Sequence, residues 1–252
     1  MPHPHPVPLA AGATALLALC CCVVAASAGA CPPAGFTAVS PLNLKQFIAA
    51  PWYVQKQLPL SYQPPNTLFC VKARLGRGRA GLTVNNYANV GKVNGASMGS
   101  SKYDSSKSSF GKLIALPATS GGDGSDGRLK VGPEPLLRLP AAARNAAFGP
   151  YWVVAVGPSA NQTIGYDWAI ISGGPPTFEG PNGTCTTLRG GVLGRTERQL
   201  NPVESGGLWF FSRTPVDPAA TAVMEQKAAA LGLDTSKLLP VQQDGCKYEF
   251  PA

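Results

Sequence analysis

Between Pro51 and Arg213 the chain is written in short apolar or alternating runs, each closed by Gly, Pro, Asn or Ser: WYVQKQL, FCVKARL, GLTVNNYANV, FGKLIALP, GRLKV, PYWVVAV, DWAIIS and LWFFSR. Side chains on a strand point alternately to opposite faces, so runs of this length and composition form strands with one buried face. No long amphipathic helix interrupts them. Strands of this size with turn signals between them predict an antiparallel barrel or sandwich, and so an all-β chain. The segment LGRGRAG reads as a hairpin turn, ATSGGDGSDG as a flexible loop, SMGSSKYDSSKSSF as a weak strand pair or loop, and GPEPLLRLPAAARNAAFGP as mostly irregular. No repeat of fixed period and no linker divides residues 31–252, which read as a single domain.

One helix is well signalled after the last strand. Asp217 is placed to cap it and Pro218 suits its first position, where no amide donor is needed. Ala220, Val223, Met224, Lys227 and Leu231 then recur at helical spacing, and Gly232 is placed to end the run. The apolar stripe is narrow, which fits a helix laid on the outside of a barrel. SKLLPVQQ supplies one more edge strand.

Residues 1–30 contain no Asp, Glu, Lys or Arg, and the apolar run from Leu9 ends in Ala28-Gly29-Ala30, a pattern suited to signal peptidase. They are read as a signal or targeting peptide. Three of the seven cysteines fall within it, leaving Cys31, Cys70, Cys185 and Cys246. Four cysteines in an exported chain predict two disulfides, with three connectivities open at this point. The sequons at Asn161 and Asn182 are candidate glycosylation sites.

Residues 31–252 hold no histidine, since His3 and His5 lie in the targeting segment. Histidine-dependent catalysis is thereby excluded, along with the commonest ligand for zinc or copper. There is no GxSxG and no Walker-type phosphate loop; Asp123 and Asp126 sit in Gly/Ser-rich sequence and read as a solvated loop. The chain carries 21 basic against 13 acidic residues, a net charge of +8. Its cations are scattered, and the densest group, Lys72, Arg74, Arg77 and Arg79, brackets a hairpin, so no nucleic-acid partner is inferred.

Three segments together resemble the lipocalin family. FTAVSPLNLKQFIAAPWYVQKQLP resembles the first strand and its approach, whose signature is Gly-x-Trp followed by Tyr; here Ala50-Pro51-Trp52-Tyr53 replaces the glycine. YDWAIIS is similar to the seventh strand, with GPSANQTIG in place of the shorter Thr-Asp-Tyr turn. LWFFSRTPVDPAATAVMEQKAAALGLDTSKLLPVQQ resembles the last strand, outer helix and ninth strand of the branch containing apolipoprotein D and the bacterial lipocalins, with algal or plant-type members in view. The resemblance spans roughly residues 36–250.

That resemblance implies an eight-stranded antiparallel up-and-down barrel with one C-terminal helix outside it and a short ninth strand. It implies that Trp52 packs across the closed end with Arg213 over its ring, a contact worth roughly 0.5–2 kcal/mol. Alternation then sets Trp209 and Phe211 on the inward face with Arg213. A barrel of eight strands is just wide enough to hold one small ligand, lipocalins being the standard example. Candidate lining residues are therefore Trp209, Phe211, Trp168 and Tyr151 or Trp152. The resemblance also implies the pairs Cys31–Cys185 and Cys70–Cys246.

The function implied is binding and transport of a small hydrophobic molecule, such as a fatty acid, lysolipid, sterol or carotenoid, with no cofactor and no metal. The alternative is an enzyme of the de-epoxidase or isomerase kind acting on a lipophilic substrate, for which Cys70 is the candidate thiol. A third reading is an interaction protein whose barrel is filled by its own side chains. The expected partners are the ligand and, peripherally, membranes, for a monomer or weak dimer. The expected location is extracellular or an endomembrane lumen, with a chloroplast lumen as the alternative.

Overall fold

The computed structural model describes residues 30–60, 62–98, 112–188 and 206–248, together with Met1 and His3. Along the chain these form α1 (Leu44–Phe47), β1 (Trp52–Gln57), β2 (Phe69–Arg77), β3 (Leu82–Val90), β4 (Ala96–Ser97), β5 (Leu113–Pro117) and β6 (Arg128–Pro133). There follow α2 (Ala141–Ala147), β7 (Gly149–Pro158), β8 (Tyr166–Ser172), β9 (Phe178–Glu179), β10 (Cys185–Thr186), β11 (Leu208–Ser212), α3 (Pro218–Ala230) and β12 (Leu239–Pro240).

Each of the eight runs predicted to be strands is one. β1, β2, β3, β5, β6, β7, β8 and β11 pair antiparallel in sequence order, and β11 returns to pair with β1, closing an eight-stranded barrel with no free edge. β4 adds to β3, β12 adds to β1, and β9 with β10 forms a separate two-stranded hairpin. This is the architecture that the lipocalin resemblance implies.

Two apolar clusters lie on opposite sides of the barrel wall. Trp52, Val54, Leu75, Leu129, Val153, Ala169, Ile171 and Phe211 belong to the interior. Phe210, Ile170, Val154, Leu58 and Leu208 face outward, where Ala220, Met224 and Ala228 of α3 cover them. The helix begins as expected: the Asp217 carboxylate accepts from Ala220 N at 2.9 Å, satisfying a first-turn amide. Its buried stripe is Ala220, Met224 and Ala228; Val223 is 45 % exposed, so the apolar stripe expected through Val223 is displaced toward the alanines, whose small side chains let the helix lie close to the sheet.

Two local expectations are corrected. Residues 134–147, taken as irregular, form a 3-10 turn over Glu134–Arg138 followed by α2. In the cationic hairpin Arg77 and Arg79 are exposed, but Lys72 is 3 % exposed with its ammonium 5.0 Å from the centre of the Tyr248 ring, and Arg74 donates to Ala49 O. The segment around Asp123 and Asp126 is a loop with Asp123 exposed, as expected, and its carboxylates bond within it: Asp123 accepts from Ser125 N and Asp126 from Arg128 N and Thr119 Oγ1. The expected weak strand pair over SMGSSKYDSSKSSF is described only at Met98 and before, and the targeting segment lies almost wholly outside the described residues.

The two disulfides are Cys31–Cys185 and Cys70–Cys246. The second anchors a wedge. Cys70 has φ 55 and interrupts the β2 ladder, so β1 and β2 pair only at Trp52 and Tyr53. The C-terminal tail fills the gap: Lys56 and Gln57 pair with β12, Val241 N donates to Gln55 O, Gln242 bonds to both Leu68 and Cys70, and Gln243 Nε2 donates to Val54 O (2.8 Å) and Val71 O (2.7 Å).

Candidate functional site: a barrel interior closed at one end

The closed end is built on Arg213, just beyond β11. Its Nε donates to Tyr166 O at 3.1 Å, one terminal nitrogen to Ala50 O and to Pro51 O at 3.2 Å, and the other to Gln46 O at 3.1 Å and Phe47 O at 2.9 Å. A planar fork suits this task because its donors leave in fixed directions. The guanidinium carbon lies 3.3 Å from the centre of the Trp52 ring, and Trp52 in turn donates Nε1–H to Phe47 O at 3.0 Å. Phe47 and Phe211 both pack near that indole, with centroids at 5.2 and 6.1 Å. The Tyr166 hydroxyl accepts from Asn43 N, tying the α1 cap to the same floor. Burial, with help from the neighbouring Arg74 charge, pulls Arg213 down to about 9, which still leaves it cationic at neutral pH.

Toward the other end the inward face changes character. Trp209 and Tyr151 are packed against the interior cluster yet stay half-buried, as do Leu113, Val131 and Leu239. At the closed end, by contrast, Trp52 is 0 % exposed. Trp209 leans over Gly207: a Cβ there would stand 2.0 Å from the ring, and φ 149 at that position also favours glycine.

A bulge puts Gln57 among these groups. β1 pairs Val54 with Phe211 but Lys56 with Phe210 and Gln57 with Trp209. Facing residues on paired strands share a side, so Lys56 turns outward, where it meets Glu225 of α3, and Gln57 turns inward beside Trp209. Gln57 is 0 % exposed, and neither its Nε2 nor its Oε1 has a hydrogen-bond partner. The Tyr151 hydroxyl is likewise sealed and unpartnered, and its burial pushes the phenol's pKa well up, against the opposing pull of the Arg213 charge.

Among the expected lining residues, then, Trp209, Phe211 and Tyr151 face inward. Trp152 and Trp168 do not: both pack with the outer cluster. Trp168 lies flat on Gly157, where a Cβ would stand 1.9 Å from its Nε1, and the Arg128 guanidinium stacks 5.0 Å over Trp152. Gln57 was not among the candidates, because alternation counted from Trp52 without the bulge sends it outward. Cys70 is bonded to Cys246, so it supplies no thiol. Asn161 and Asn182 are exposed. A shallow depression outside the barrel wall, lined by Leu58, Ser172, Thr186, Leu208, Leu233 and others, has no room for a water molecule.

The closed barrel, outer helix and plugged floor are those that the lipocalin resemblance implies. No protein-family model matches the chain, and no curated protein matches it. Solved structures similar to it include insecticyanin from the tobacco hornworm Manduca sexta, at 17% identity over 88% of this chain and 91% of that one, with a TM-score of 0.49. The cockroach allergen Per a 4 is 14% identical over 82% of this chain and 92% of that one, with a TM-score of 0.46. Lobster apocrustacyanin A1 is 11% identical over 84% and 93%, with a TM-score of 0.44. Identities this low leave ligand chemistry to be argued from the residues of this chain.

Proposed function

We propose that the barrel binds and carries one small hydrophobic molecule, held between Trp209, Tyr151 and the Phe211 floor. The observation that supports this reading is Trp209, which packs against the interior cluster and stays half-buried, while Trp52 at the closed end is fully buried. Moving apolar ligand surface from water into such a lumen yields about 25 cal/mol per Å², so a guest burying about 300 Å² gains roughly 7 kcal/mol before its ordering costs. The chemistry is transfer, with no bond made or broken; the disulfide at Cys70 argues against a thiol isomerase. The protein is exported after removal of residues 1–30, in keeping with two disulfides, and Asn161 and Asn182 are its glycosylation sites. It acts as a monomer or weak dimer in an extracellular or luminal compartment and exchanges cargo with membranes peripherally.

The test is titration of delipidated protein with the neutral apolar fluorophore N-phenyl-1-naphthylamine. One site of micromolar affinity is expected, with quenching of tryptophan emission, and Trp209→Ala weakens it by about tenfold. Trp168→Ala, on the outer wall, leaves it unchanged. Absence of saturable binding rejects the carrier reading.

A further inference from the structure

The other buried glutamines among the described residues are fully engaged. Gln55 Nε2 donates to Tyr53, Thr214 and Pro215 carbonyls while its Oε1 accepts from Asp217 N. Gln243 Nε2 joins two strands and its Oε1 accepts from the Tyr248 hydroxyl at 2.8 Å. Against that background Gln57, with both amide atoms sealed and unpartnered, is an exception of the kind that calls for an absent partner. A methionine or leucine of similar size would fill the same space without desolvating an amide.

The Tyr151 hydroxyl is a second such group, carried on a different wall of the same lumen. Between them they present donors and acceptors and no formal charge. Trp209 and Leu239, the strand partners of Gln57, carry none either. The interior cation among the described residues, Arg213, is felt at the Tyr151 hydroxyl, but its donors are committed to five carbonyls and its face to Trp52. An ammonium entering this lumen would be desolvated without a countercharge and a carboxylate without a free charged donor, whereas a neutral group would recover its hydrogen bonds.

We propose that the guest is an apolar molecule bearing an uncharged polar group, a hydroxyl, ketone or carboxamide, and that Gln57 and Tyr151 are the residues that read it. This rests on the carrier reading above and narrows it to neutral amphiphiles.

The experiment is competition against bound N-phenyl-1-naphthylamine by four probes sharing one chain: dodecanol, dodecanamide, dodecanoate and dodecylamine, at pH 7.5. The alcohol and the amide are expected to compete at least about tenfold more strongly than the carboxylate and the amine, since a site built to hydrogen-bond a neutral group discriminates on that bond. Gln57→Met keeps the length and removes both hydrogen-bonding atoms. It should lower the affinity for dodecanol and dodecanamide by about tenfold relative to that for dodecanoate and dodecylamine, with the fluorophore's own affinity redetermined for the variant, and raise the melting temperature. Tyr151→Phe should act in the same direction on the same two probes. Equal or tighter binding of dodecanoate, or a ranking unaltered by Gln57→Met, overturns the proposal while leaving the carrier reading intact; a Gln57→Met protein that is less stable with an unaltered ranking shows a glutamine bonded to trapped water. If neither the fluorophore nor any of the four binds, the carrier reading itself falls and takes this one with it.

Discussion

The guanidinium of Arg213 lies 3.3 Å over the indole of Trp52, and the two are joined through a shared acceptor, Phe47 O, which takes a hydrogen bond from each. The contact therefore does more than add a cation–π attraction. It connects the end of β11, the start of β1 and the last residue of α1, three segments that would otherwise leave carbonyls unsatisfied at the bottom of the barrel.

Replacing Arg213 by Ala removes both the ring contact and the donors to five carbonyls. Stability should fall by about 3–4 kcal/mol, read from the shift of the urea midpoint at constant slope. Arg213→Lys keeps the charge and loses the fork, so it should recover less than half of that loss. Full recovery by lysine would show that the charge alone, and not the geometry, holds the floor.

The outer helix offers a paired comparison on one surface. Met224 is 0 % exposed against the barrel wall and Val223, its neighbour, is 45 % exposed. Met224→Ala should cost about 2–4 kcal/mol by cavity formation, and Val223→Ala should stay within about 0.5 kcal/mol. Thermal or urea unfolding of the two variants checks this; equal effects would mean the helix is seated on a different face.

Strand identity was legible in the sequence because turn residues bound each run, and the facing of 209, 211 and 213 was legible because β11 pairs with β8 without a break. The facing of Gln57 was hidden by the bulge between Val54 and Lys56, which adds one residue and reverses every side chain after it. β7 carries two such irregularities, so Tyr151 and Trp152 could not be assigned to sides. Trp168 misled for another reason: α3 covers the outer wall, so a strand beneath it is apolar on both faces and alternation vanishes. α2 was missed because no side chain caps it and its alanines trace no stripe.

Alkaline pH should separate Tyr151 from the rest of the protein. Burial raises Tyr151 and Tyr248 above the ordinary phenol value of 10.0, so the folded protein keeps protons that the unfolded chain releases. Their contribution is complete below about pH 10 and is lost as pH rises beyond it. Arg213, lowered to about 9, acts in the opposite sense over the same range, since the unfolded chain there binds the extra proton. The wild-type curve mixes the two, and the difference between wild type and Tyr151→Phe isolates one: wild-type stability should decline more steeply than the variant's between pH 10 and 11, by up to about 1.4 kcal/mol per pH unit. Parallel curves would place the Tyr151 hydroxyl in water.

The Cys70–Cys246 bridge and the tail it holds make a prediction about the lumen as well as about stability. The bridge spans 176 residues, and chain entropy assigns a loop of that size about 4–5 kcal/mol, reduced by whatever order the unfolded chain keeps. The double variant Cys70→Ser/Cys246→Ser should therefore lose about 3–4 kcal/mol. Its particular consequence follows from the wedge. The tail between β1 and β2 completes the wall beside Gln57 and Trp209, since Leu239 pairs with Gln57 and Gln57 with Trp209. Once the tail is free to leave, water gains a side route to the interior. Acrylamide quenching of tryptophan emission should rise in this variant, and the rise should disappear when Trp209 is also replaced by Phe. Cys31→Ser/Cys185→Ser, whose bridge ties the N-terminal segment to the β9–β10 hairpin outside the wall, should lower stability comparably and leave the quenching unchanged. If both pairs raise quenching alike, loosening of the whole barrel, and not opening of that seam, is the cause.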